Sequence, residues 1–162
     1  MPLFPLFQWI NDTGVATAIR ELDWVFPIIE TVHVLAIALV AGTVAIVDLR
    51  LLGIVLKHER VSQVAGRVLP LTWAGFVAMF VSGGLLFLAE ATKSYANPAF
   101  RLKMLLLFIA GLNPLVFHST IYRSVAAWDD ARTTPWRARL TAALSLTLWS
   151  GIIVAGRAIA YY

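Results

Sequence analysis

Eight ionisable residues stand inside or at the edges of long apolar runs: Glu30, His33, Asp48, Arg50, Glu90, Lys103, His118 and Arg157. Hydrocarbon rejects such groups, at about 2.5–3.5 kcal/mol for a charge at the centre of a membrane helix on insertion scales, so they face a bundle interior and mark function. Three chemistries follow from the residue types. An inward histidine is an axial ligand for haem b, in a five-coordinate site on His33 or paired with Met79. His33, Glu30 and Glu90 together offer one nitrogen and two carboxylates, a set that suits several divalent ions. Carboxylate and imidazole groups in both halves of the membrane also make a proton relay, since histidine titrates near neutrality.

Spacing sorts these groups into two layers. Glu30 and His33 are three apart and share a helix face. From the start of their run they lie about 7 and 12 Å deep, at 1.5 Å per residue. Glu90, Lys103 and Arg157 fall at the same end of the other three runs, so each run sends an ionisable group to one level. Asp48, Arg50 and His118 form an inner polar layer, which Ser145 and Thr147 can join. Each layer has a plainer account. Lys103 and Arg157 are long enough to snorkel to headgroups, and Asp48 with Arg50 is also what an interfacial charge pair looks like. Asn113 and Pro114 interrupt the third run, putting an amide near the level of His33 and freeing the Ala110 carbonyl. His33 and His118 lie about 12 Å apart in depth, too far to share one haem.

The elements that must position these residues are four apolar runs, at residues 25–56, 68–90, 102–122 and 140–162. About 20 such residues cross a bilayer. The 162-residue chain is 60% hydrophobic, with a mean hydropathy of +0.80. One bundle uses the whole length, and no internal repeat is visible. The expected fold class is an all-α, four-transmembrane-helix bundle, preceded by a short N-terminal interfacial amphipathic helix over residues 4–22. Leu6, Phe7, Trp9 and Ile10 would dip into the interface, while Asn11, Asp12, Arg20 and Glu21 stay wet. Met1 to Ile19 holds no Lys or Arg, and Pro2 and Pro5 interrupt it, unlike a signal peptide. Small residues four apart, at Ala38/Gly42, Ala74/Ala78/Ser82 and Gly151/Ala155, are expected to let helices approach closely.

The net charge of +4 does not point to nucleic acid, because the basic residues fall in short links between runs. Lys57, Arg60, Arg67, Arg123, Arg132, Arg137 and Arg139 outnumber the cations on the other side, which favours an N-out, C-out topology in a bacterial inner membrane. The link before the fourth run also carries Asp129, Asp130, Thr133 and Thr134. Without cysteine there is no disulfide, thiolate site or thiol nucleophile. The lipid bilayer is the expected partner, with a larger membrane complex or a homo-oligomer as further assemblies. An accessory subunit and a metal or proton transport component stand beside the haem reading.

Glu30-Thr-Val-His33, Val47-Asp48-Leu49-Arg50-Leu51-Leu52-Gly53, Pro70-Leu-Thr-Trp73-Ala-Gly75-Phe76, Phe100-Arg-Leu-Lys103, Ala110-Gly-Leu-Asn113 and Ala155-Gly156-Arg157 resemble a family of small, uncharacterised four-span bacterial membrane proteins. More distantly, the chain is similar to CopD-type copper-resistance membrane proteins and HemJ-type four-span protoporphyrinogen oxidases. The shared features are His33 with Gly42 nine residues on, a following Arg, and Lys103 opening the third span. The HemJ-type resemblance implies haem b and porphyrin oxidation, with Asn113 about where that pattern has another histidine. In that reading Glu30 orients the His33 imidazole, and Lys103 and Arg157 neutralise propionates.

Overall fold

The computed structural model describes residues 3–120, 122–129 and 134–161. Met1, Pro2, Asp130, Arg132, Thr133 and Tyr162, which enter the sequence reading, lie outside the described residues. The described chain is helical: α1 (Phe4–Asn11), α2 (Gly14–Glu21), α3 (Val25–Leu51), α4 (Val61–Ala89), α5 (Ala91–Ala96), α6 (Pro98–Thr120), α7 (Val125–Trp128) and α8 (Trp136–Ala158), with single 3-10 turns at Tyr122–Ser124 and Ile159–Tyr161. Helices α3, α4, α6 and α8 are each long and apolar enough to cross a membrane. Their outward faces carry bare apolar side chains such as Phe80 (68 % exposed) and Val154 (69 %), which water would penalise and lipid accepts.

The four spans alternate in direction. One end of the bundle holds α1, α2, α5 and both ends of the described chain; we call it the terminal end. The other, the loop end, holds the 52–60 connection and α7. The extensive interfaces are α3 with α4, α6 with α8, and α3 with α8. The order across the bundle is therefore α4, α3, α8, α6. Helix α8 reaches both neighbours through a buried stripe of Ala138, Ala142, Ser145, Leu148, Ile152 and Ala155. Steps of three and four keep that stripe on one side, and its alanines let the backbones close in. Of the small residues expected at contacts, Ala38 and Gly42 face outward. The close approach of α3 to α4 is instead at buried Gly75, where a Cβ would stand 2.9 Å from Val40 Cγ2.

Helix boundaries correct the sequence reading at the end of the first span and at the start of the other three, the fourth beginning at Trp136 rather than 140. The first span ends at Leu51, not near residue 57. Gly53 adopts φ 74°, the left-handed region open to glycine, and the N–H groups of Gly53 and Ile54 donate to the carbonyls of Arg50 and Leu49. That paired bond is a Schellman stop. The second span begins at Val61 rather than 68. Its start is capped from a distance: Asp129 accepts from the Ser62 N–H at 3.1 Å and from the Ser62 hydroxyl. The third span begins at Pro98, with the Asn97 side chain accepting from the N–H groups of Ala99 and Phe100 at 2.9 and 3.2 Å. A capping Asn before a proline suits a helix start, because the missing proline N–H is one that a first turn leaves unpaired.

The expected short N-terminal helix is present, but in two pieces folded back on the bundle. Thr13 breaks the chain and caps α2 through Ala16 N–H. Ala16 and Ile19 are buried. Phe7 meets the Phe87 ring edge-on at 5.8 Å and Tyr95 at 4.4 Å, whereas Leu6 and Trp9 stay exposed. Arg20 is engaged as well, its guanidinium donating to the carbonyls of Ala89 at 2.7 Å and Asn11 at 2.8 Å. It thereby binds the last carbonyls of two helices, where a cation is favourable.

Two expectations follow. Gly53→Ala should destabilise the protein by about 1 kcal/mol, because a Cβ is strained in the left-handed region. Burial raises the Asp129 carboxyl, but the Ser62 hydroxyl, the Ser62 and Val61 N–H groups and Arg60 outweigh it and hold the group below its ordinary range. Its capping contribution is thus present above the ordinary carboxylate range and lost as pH falls through the lowered folded value. Asp129→Ala should cost about 1 kcal/mol at neutral pH, with the deficit shrinking in acid. Thermal unfolding in detergent across pH checks both variants.

Candidate functional site

His33 sits two turns into α3, about 12 Å from the start of that helix. Its ring turns toward α4. Nδ1 lies 3.1 Å from the Met79 carbonyl and 3.0 Å from the Ser82 hydroxyl oxygen. The tautomer follows from the partners. A carbonyl only accepts, and the Ser82 hydroxyl donates to the Ala78 carbonyl at 2.6 Å. Nδ1 must therefore carry the proton and donate. That leaves the Nε2 lone pair facing the interior, where Lys103 Nζ from α6 donates to it at 3.5 Å.

The ring fits because of Gly83. A Cβ there would stand 2.8 Å from His33 Cε1, inside the ring's own volume. The Lys103 stem passes Gly156 of α8. Residues from all four spans thus converge at the terminal end. One turn nearer that end, Phe87 (four after Gly83) and Phe100 (three before Lys103) stack at 5.7 Å with an interplanar angle of 12°. Phe7 meets the Phe87 ring on the same side.

Several expected members stand elsewhere. Glu30 is exposed and makes no hydrogen bond or ion pair among the described residues. It does not orient His33; Met79 and Ser82 do. Three residues' spacing shares a face only loosely, and here the divergence turns the carboxylate outward. Glu90 follows the last residue of α4 and pairs with Lys93 at 2.7 Å. It lines a shallow open hollow with Arg20 and Phe26. The expected metal set of His33, Glu30 and Glu90 is not assembled: among the described residues, no three His, Asp or Glu side chains are placed to hold an ion. Arg157 is exposed, with its guanidinium over the Tyr161 ring at 5.4 Å. Asn113 donates to the Thr141 carbonyl of α8 at 3.3 Å, well toward the loop end from His33. Met79 meets His33 through its backbone carbonyl, at Nδ1.

The inner polar layer is also partly assembled. Asp48 is buried beside Ser145, across the α3–α8 contact. Arg50 is equally buried, but its Nε donates to the Glu59 carbonyl at 2.6 Å. His118 is exposed and lies against the Tyr122 ring at 4.8 Å, apart from Asp48. Thr147 faces outward and bonds back to Ala143. The Met79 carbonyl, the Ser82 acceptor and the Gly83 gap were not read from the sequence. The signals were a serine in an apolar run and the Gly83-Gly84 pair beside it.

A family model described as a family of unknown function, DUF6644, matches residues 7–162. No curated protein and no solved structure matches the chain.

Gly83→Ala should push the imidazole off α4 and break its bonds to Met79 and Ser82. Overpacking of this kind costs about 1–3 kcal/mol. The expected readout is a changed His33 imidazole signal in nitrogen-labelled NMR spectra, with Gly84→Ala, whose Cβ position is open, as the silent control.

Proposed function

The chain belongs to the DUF6644 family of unknown function, and from that premise we propose that it is a membrane protein binding haem b at His33 for redox or porphyrin chemistry. The observation that carries this reading is the locked tautomer. With Nδ1–H held by the Met79 carbonyl and Ser82, the ring is fixed in orientation and Nε2 keeps its lone pair. This is the second-shell arrangement that metal-bound histidines use to set tautomer and raise ligand basicity.

His33 would hold the group through Nε2, the nitrogen that Lys103 now meets and would have to yield. Lys103, on a flexible stem, is the cation for a propionate and has no carboxylate partner among the described residues. Both other histidines, His58 and His118, are exposed at the loop end, so neither is a second axial ligand. Glu30 and Arg157 have no part in this version of the site. Bound haem supplies one-electron exchange at its iron. The chain itself fixes the imidazole and offers an ammonium group. The Lys/Arg bias supports the rest of it: a bacterial inner membrane, with the terminal end outside and the loop end in the cytoplasm.

Protein purified in detergent with haem supplied should show a Soret band. His33→Ala should abolish it, and Ser82→Ala should retain it with a shifted reduction potential. A preparation that stays colourless when haem is available would refute the proposal.

A further inference from the structure

Fifteen residues beyond His33, about 22 Å farther along α3, a second titratable group is buried that the haem reading does not use. Asp48 is 6 % exposed. Ser145 of α8 lies beside its carboxyl, and Oδ2 has no hydrogen-bond partner. Among the described residues no other buried side-chain oxygen or nitrogen is left so.

Among the described residues, no ion pair joins a cation to Asp48. Arg50 is two positions along the same helix, and its Nε serves the Glu59 carbonyl. Helix α4 offers Thr72, which donates to Thr43. Its cation Arg67 is exposed and paired with Glu59 at 3.6 Å. Helix α8 brings Ser145, while Arg137 lies over the Trp136 ring and Arg139 is exposed. From α6, His118 is exposed against Tyr122. A buried carboxylate with an open oxygen and no cation is strongly disfavoured. A metal ion does not remedy this, since a hard cation wants about six oxygens and this place offers one carboxyl and one hydroxyl. A proton needs a single oxygen.

We propose that Asp48, beside Ser145 where α3 meets α8, is a proton-binding site reached from the loop end. The carboxyl is three residues from the end of α3, about 5 Å. Its deprotonation leaves a charge with no ion pair among the described residues, in the contact that joins the two halves of the bundle. This site stands apart from His33 and does not depend on haem.

Dicyclohexylcarbodiimide, an apolar reagent for carboxylic acids, tests it on the full-length protein in detergent, with adducts mapped by mass spectrometry. An adduct at Asp48 is expected, its yield falling roughly tenfold per pH unit above the midpoint of titration. Asp48→Asn should lose that adduct. Ser145→Ala should keep it and move the midpoint of the curve. Glu30, the outward-facing carboxyl of the same helix, is the exposed comparison. No adduct at Asp48 between acid and alkaline pH, or a yield indifferent to pH, would overturn the proposal, and both results are read on the wild-type chain. An unmoved midpoint in Ser145→Ala would overturn the role given to that hydroxyl.

Discussion

An imidazole set two turns deep in a lipid-facing bundle must find partners for both nitrogens, because the hydrocarbon around it offers none. The helix carrying His33 has no spare backbone groups to give. The partners come from neighbours: the Met79 carbonyl and Ser82 hydroxyl of α4 on one nitrogen, and the Lys103 ammonium of α6 on the other. Much of the terminal end follows from that need. Gly83 must lack a side chain for the ring to reach α4. Lys103 must turn inward past Gly156, which separates it from Arg101, whose guanidinium stays outside over Tyr95.

The helix ends obey the same requirement by other means. Where α3 stops, Gly53 turns the chain so that N–H groups return to the last carbonyls. Where α4 starts, a carboxylate more than sixty residues away supplies the missing acceptor. Where α4 stops, Arg20 donates to the Ala89 carbonyl, and the N-terminal helices are held down by the same contact. These devices lie at the bundle ends, where a charged group still reaches water.

The four spans were legible in the sequence because length and apolarity alone set them. Rotation about each helix axis was not. In a soluble helix one face is polar, and the pattern shows which side is buried. In these spans both the lipid-facing and the core-facing sides are apolar, so the few polar residues were the only guide. That guide was right for His33, Lys103, Asp48 and Ser145, and wrong for Glu30, Arg157, His118 and Thr147, which face outward. Asn113 went astray in depth rather than rotation, since the third span starts four residues earlier than its apolar run. The early stop of α3 was written in Gly53, but apolar residues on both sides hid it. The Asp129 cap joins segments far apart in the chain, and no local pattern announces it.

The order of the spans, α4, α3, α8, α6, makes the molecule two sequence-local hairpins that meet mainly where α3 packs on α8, with the Phe87–Phe100 stack and the Ser62–Asp129 bond joining them at the two ends. Each hairpin can insert and close on its own, since its partners are neighbours in the chain and little loop entropy opposes them. The late event in assembly is then the docking of one half on the other. His33 belongs to the first half and Lys103 to the second, as do Asp48 and Ser145 respectively. Both polar contacts come into being only on docking, so whatever binds at either place is thermodynamically linked to it and tightens the join between the halves.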